Sequence, residues 1–148
     1  LIWKCKNGIA YIKKIKNNES LGFIEQRDTP LISLKKVINN SKINIPKNLP
    51  PMASSLIGYL SYETIELYEK LPKRKKKPIP VPDGFFIRPT VMAIFDSIKN
   101  EVLFASPCWY AETVNPKKKY LELVNKISRS INDLSKSTLG TKKRKSYS

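Results

Sequence analysis

Residues 54–72 read SSLIGYLSYETIELYEKLP. Leu56, Gly58, Leu60 and Tyr62 alternate with Ile57, Tyr59 and Ser61, and both sets are largely apolar. A strand with that pattern is expected to be buried on both faces. Gly58 inside it points to close approach of another backbone or a large side chain. The period then changes. Ile65, Tyr68 and Leu71 mark one helical face, Glu66 and Lys70 form an i,i+4 pair, and Glu63 sits in the first turn, where the helix dipole favours an anion. A helix is predicted from Ser61 or Tyr62 up to Pro72, which forces a stop. Tyr59 and Tyr62 are expected to pack in the core. The competing use of such tyrosines is stacking on a base or ring.

On the N-terminal side, LIWKCKNGIAYIKKI (1–15) is a hairpin: two β-rich runs flank Asn7-Gly8, a pair that accepts positive φ at both central turn positions. Lys4, Lys6, Lys13 and Lys14 are placed on its outward faces. LGFIEQ (21–26) is a further short strand. In TPLISLKKVINN (29–40), Thr29 is a candidate cap and Pro30 suits the first helical turn. Leu31, Leu34, Val37 and Ile38 form its apolar stripe. SKINIPKNLPP (41–51) is a proline-bearing connector.

On the C-terminal side, KRKKK (73–77) lies in a proline-rich loop and is read as an exposed lysine-rich segment. A second hairpin spans 85–109. Its strands, Val91 to Phe95 and Val102 to Ala105, look central, and Asp96 to Asn100 supplies the turn. NPKKKYLELVNKISRSINDLSKS (115–137) is the longest helix. Asn115 caps it, Pro116 starts it, and Tyr120, Val124, Ile127, Ile131 and Leu134 line one face. The predicted fold class is α+β: antiparallel β-sheet, as a β-sandwich portion, with flanking helices. Residues 1–134 are assigned to one partial domain and 135–148 to a basic, mobile tail. Leu1 stands where a full chain would have Met, so a true N-terminus is expected to be missing.

The 148 residues carry 28 Lys+Arg against 12 Asp+Glu, a net charge of +16. Such a charge suits nucleic acid or an acidic surface. However, the sequence holds 23 Lys but only 5 Arg, alongside 17 Ile and 11 Asn. Lys, Ile and Asn rise together in A+T-rich coding DNA, whereas phosphate reading favours Arg forks. A nucleic-acid partner is therefore not expected, and a small basic nucleic-acid-binding module stays as the alternative. There is no histidine, which removes the commonest general base and metal ligand. Ser33-Leu34-Lys35-Lys36 matches S-x-x-K, but on a helix in a chain rich in both residues. Glu63, Glu66 and Glu69 could flank a cation, though a solvated helix face explains them as well. Cys5 and Cys108 are far apart and read as free thiols. No apolar run approaches the roughly 18 residues of a membrane span, so cytoplasmic is the default. No catalytic, cofactor-binding or metal residue is assigned.

LIGYLSYETIELYEKLP (56–72) resembles the G-Y-x-x-Y-[DE] segment followed by E-x-L-P in the N-terminal domain of anthranilate synthase component I. Aminodeoxychorismate synthase component I, of the folate pathway, shares that signature. VPDGFFIRPTVMAIFDSIKNEVLFASPCW (81–109) resembles the family's strand pair after that helix, and its wording favours the anthranilate branch. LIWKCKNGIAYI (1–12) is similar to an earlier family strand, so the likeness spans roughly residues 1 to 110. Ala53-Ser54-Ser55 stands where the family usually has a glycine pair, and Glu63 where Asp is frequent. The resemblance implies an incomplete piece of a chorismate-utilising lyase that acts in tryptophan biosynthesis under feedback regulation. Such an enzyme takes ammonia from a glutamine amidotransferase subunit (component II) and makes anthranilate and pyruvate. The resemblance places chorismate, Mg²⁺ and the catalytic residues in a C-terminal domain absent here. The effector strings L-L-E-S and N-P-[ST]-P do not occur in the chain. The 148-residue chain is thus expected to be structural or regulatory and inactive alone.

Overall fold

The computed structural model describes residues 1–16, 19–20, 22–71, 80–109 and 115–138. The KRKKK segment, Pro72 and the predicted basic tail beyond residue 138 lie outside the described residues. The chain divides into two compact units, Leu1–Pro89 and Thr90–Ser148.

In the first unit, β1 (Ile2–Lys6) and β2 (Ile9–Lys13) form the expected hairpin, with Ile2 opposite Lys13 and Lys6 opposite Ile9. Asn7 and Gly8 take φ of 53° and 76°, the pair of positive values that an Asn-Gly turn accommodates. β3 (Ile15–Lys16) and β4 (Glu19–Ser20) make a small ladder of their own. β5 (Ile24–Glu25), β6 (Ile57–Leu60) and β7 (Gly84–Ile87) complete an antiparallel five-stranded sheet in the order β5-β2-β1-β7-β6. The α+β class and the antiparallel sheets are those expected.

One face of this sheet is the core. Trp3, Cys5 and Ala10 alternate onto it and meet Leu34 and Val37 of α1 (Pro30–Asn39). Trp3 is 1% exposed, and its Nε1–H donates to Ser33 Oγ at 3.1 Å. That bond decides how α1 is turned. Pro30, Ser33, Leu34 and Val37 face inward, at i, i+3, i+4 and i+7. The predicted stripe is corrected accordingly: Leu31 is half-buried and Ile38 exposed. Thr29 occupies the cap position, where its carbonyl accepts the Ser33 N–H at 2.9 Å, but its side chain makes no capping bond.

Asp83 joins the far end of the sheet. Its carboxylate accepts the Asn7 N–H at 2.7 Å, its own N–H donates to Cys5 O at 2.8 Å, and its carbonyl accepts the Ser61 N–H at 2.7 Å. One buried residue therefore ties the β1–β2 turn to the end of β6.

The decisive stretch departs from expectation in two ways. β6 is a strand, but it is the edge of the sheet, and all four of its residues are exposed. Apolar composition on both faces predicts a central strand, yet among the described residues only β7 pairs with it. Gly58 does meet another backbone closely: a Cβ there would lie 1.9 Å from the Phe85 carbonyl oxygen. Second, residues Tyr62–Leu67 form a 3-10 helix rather than an α-helix. The Thr64 N–H bonds back three residues to Ser61 O, and the Thr64 hydroxyl donates to the same carbonyl. That carbonyl is thus doubly engaged by residue 64, which favours the tighter i→i+3 winding. A second short 3-10 helix, Pro51–Ser54, ends the connector before β6.

In the second unit, β8 (Met92–Asp96) and β9 (Glu101–Ala105) pair in a two-stranded sheet. The Asp96 carboxylate accepts the N–H groups of Ile98 and Lys99, each at 3.0 Å, and Asn100 takes φ 53°. The expected central position is not found: among the described residues the sheet has no third strand, and Phe95 and Val102 are exposed. α2 (Pro116–Thr138) packs on β9. Its cap is as expected, with Asn115 Oδ1 accepting the Lys118 N–H at 3.0 Å. Its buried line runs through Leu123, with Ile127 and Leu134 half-buried, while Tyr120, Val124 and Ile131 face solvent. The helix is therefore turned by about one position from the predicted stripe.

Three outcomes test these contacts. Ser33→Ala leaves a buried indole N–H without its acceptor and should cost about 1–3 kcal/mol, read as a lowered denaturant midpoint. Gly58→Ala should destabilise by at least about 2 kcal/mol, since the new methyl meets backbone rather than a yielding side chain. On α2, hydrogen bonds first from Lys126 and then from Lys119 hold Glu122 below the ordinary glutamate range. That stabilisation is present above the unfolded glutamate pKa, about 4.3, and is lost as pH falls through the lowered folded value. Helicity followed by circular dichroism should therefore show a small acid-induced loss that Glu122→Gln removes. Because the pair is exposed, added salt should shrink the loss.

Candidate interaction surface

Strand alternation gives the five-stranded sheet a second face, opposite α1. Ile2, Lys4 and Lys6 of β1 share it with Ile9, Tyr11 and Lys13 of β2, Phe85 and Ile87 of β7, and Ile57 and Tyr59 of β6, by direct cross-strand register. None of these side chains is fully buried. Ile57 is 51% exposed and Tyr59 42%, and Leu60, on the core side at the same edge, is 44% exposed.

The face has an aromatic end and a basic end. Tyr59 stacks on Phe85, with ring centroids 6.5 Å apart and planes at 22°. The Tyr59 hydroxyl donates to Pro82 O at 3.3 Å. At the other end, Lys4 Nζ lies 3.8 Å from the Phe23 ring centroid and 5.2 Å from that of Tyr11, and Lys13 Nζ lies 5.6 Å from Phe23. These ammonium groups rest on aromatic faces, an arrangement worth about 0.5–1 kcal/mol at exposed sites.

The residues weighed from sequence fall as follows. Ser33 of the S-x-x-K match is a buried acceptor for Trp3, and Lys36 Nζ turns away to Asp28 Oδ2 at 2.7 Å. The two therefore make no nucleophile–base pair. Tyr59 and Tyr62 are not core residues, which corrects the packing expectation; Tyr62 is 79% exposed. Both follow from the edge position of β6 and the 3-10 turn after it. Glu63, Glu66 and Glu69 do not come together: among the described residues no three His, Cys, Asp or Glu side chains are grouped to hold a metal. Cys5 is buried and Cys108 exposed. No described helix is long and apolar enough to cross a membrane. A recess of about 320 Å³ lies elsewhere, between Ile38, Ser41, Lys42 and Ile43 on one side and Ser54, Ser55 and Leu56 on the other. It contains none of the tyrosines or glutamates of the quoted stretch.

Sequence reasoning missed the structural roles of Ser33 and Asp83. Trp3 was the available signal for Ser33, because a buried indole N–H needs an acceptor. Asp83 between Pro82 and Gly84 has the composition of a turn, and its side chain caps a turn 76 residues away.

No protein-family model matches the chain. It is 32% identical over 134 residues to anthranilate synthase component 1 of Cereibacter sphaeroides, covering 90% of this chain and 27% of that protein. It is 37% identical over 60 residues to the enzyme of the same name from Thermus thermophilus, covering 40% of this chain and 13% of that protein. The crystal structure of anthranilate synthase component I from Streptococcus pneumoniae superposes with a TM-score of 0.65 at 25% identity, over 90% of this chain and 27% of that one. The chain thus spans about a quarter of the length of the Cereibacter relative. Along nine-tenths of its length the chain is alike, in sequence and in fold, to a part of anthranilate synthase component I.

Proposed function

We propose that this chain is a supporting, non-catalytic part of an anthranilate synthase component I. It corresponds to the region ahead of the chorismate-binding domain, with residues 1–134 forming the partial domain and 135–148 a basic tail. The observation that carries this is the coverage: nine-tenths of the chain aligns with only 27% of a relative of that name. The rest of such a protein has ample length for the chemistry. In the full enzyme, chorismate and ammonia supplied by an amidotransferase subunit would give anthranilate and pyruvate, the entry to tryptophan synthesis, in the cytoplasm. This region would brace the reactive domain and contribute one wall of a tryptophan-sensing site.

Mg²⁺ belongs to the reaction by family implication. The carboxylates of the described residues do not fit it, since no three gather into a ligand set, so no step is assigned to the metal here. The names of the relatives support the anthranilate branch over the aminodeoxychorismate one. A self-contained nucleic-acid module finds less support, because Lys4 and Lys13 are engaged with aromatic rings.

The test is direct. Purified 1–148 is incubated with chorismate, ammonia and Mg²⁺, and anthranilate fluorescence is followed. The rate should equal that of the protein-free control. A rate that scales with protein concentration would place the chemistry within these residues and overturn the assignment.

A further inference from the structure

We propose that β6 is a docking edge that takes up an additional β-strand from the part of the enzyme outside this chain. This rests on the supporting role proposed above and specifies where the contact is made. The two edges of the five-stranded sheet differ. β5 is two residues long, ends in Glu25 and runs on into Arg27 and Asp28. A short, charged edge resists pairing. β6 reads Ile-Gly-Tyr-Leu, with no charge and no proline, and all four residues are exposed. No described strand pairs with its outer side. A row of main-chain groups flanked by apolar side chains is complementary to another strand.

The edge is also held ready. Gly58 lies tight against the Phe85 backbone, Tyr59 is stacked on Phe85 and bonded to Pro82, and Ser61 at the strand's end is bonded to Asp83. A strand arriving there meets a preformed template, so little ordering of β6 opposes its binding. Side chains of the arriving strand would lie beside Ile57 and Tyr59 on the open face and beside Leu60 on the core face. They would therefore be apolar on both faces. A second copy of this chain is the weaker occupant, since each copy brings a net charge of +16. The solved relative, by contrast, holds this fold as 27% of a longer chain, which leaves most of that polypeptide to supply the strand.

The test co-expresses 1–148 with a tagged polypeptide comprising the part of the Cereibacter relative that this chain does not match. The two should co-purify, and amide hydrogen exchange at Ile57–Leu60 should slow at least tenfold in the complex. Ile57→Lys, at an exposed edge position, should weaken association at least tenfold while leaving the chain's own circular dichroism and melting temperature unchanged. Association with unaltered exchange at 57–60 would sink the strand-docking proposal and leave the supporting role standing. Failure of the unsubstituted chain to associate would overturn both. Doubling of the mass of 1–148 alone, with slowed exchange at 57–60, would assign the edge to self-pairing and overturn the proposal as well. Should Ile57→Lys disturb the fold, exchange in the unsubstituted complex decides.

Discussion

Burial of the Trp3 indole governs the arrangement of the first unit. The ring is large enough to anchor a small core, and a tilted contact with Phe86, at 6.1 Å between centroids, extends it onto β7. Its N–H cannot be buried without an acceptor. Ser33 Oγ is that acceptor, and once it is committed the rotation of α1 is fixed. Leu34 and Val37 then fall on Trp3, Cys5 and Ala10. The helix covers one face of the sheet, and the opposite face is left to the side chains of Ile57, Tyr59, Phe85 and Ile87. A hydrogen bond between residues 30 apart thus determines which surface of the sheet stays open.

Signals set by neighbours in sequence were legible. Asn7-Gly8 gave the hairpin, Pro30 the start of α1, Asn115-Pro116 the capped start of α2, and Asp96 to Asn100 the second turn, because each depends on backbone conformations set by a few residues. Gly58 was read correctly as a point of close backbone approach. Quantities set by distant partners were not legible. Apolar residues on both faces of 56–62 are equally consistent with a strand flanked by two others and with an edge strand lacking a neighbour. The same ambiguity misplaced β8 and β9. A serine within an apolar helical stripe reads as a break in the stripe, and only the position of Trp3 makes Ser33 part of the core. The candidate surface was hidden for this reason: Tyr59 and Tyr62 were assigned to a core that the described residues do not complete.

The basic charge now has a partial structural account. Lys4 and Lys13 lie over Phe23, and Lys4 also over Tyr11, rather than in a row of forked donors. Lysine stems cover apolar area while their ammonium groups stay wet. At the β2 end of the open face they reduce the apolar surface presented to water. Among the described residues no ammonium group rests on a ring at the β6 end, where Ile57 and Tyr59 stand at the sheet edge. Among the described residues the sheet is therefore guarded at its β2 end and not at its β6 end.

That asymmetry bears on what kind of surface this is. A small-molecule site is concave, with a few polar groups converging on an apolar pocket. The open face instead follows the pleat of a sheet, its side chains stand side by side rather than opposite one another, and Lys4, Lys13 and Tyr59 are engaged with rings or neighbouring backbone. Such a surface recognises another layer of protein, by area and by main-chain pairing. A domain that completes its own core has no reason to leave a four-residue apolar edge unprotected. The proposed strand docking supplies a reason: a strand apolar on both faces suits an interior position, and the Cereibacter relative, of which this chain spans about a quarter, is long enough to provide the polypeptide that would make it interior.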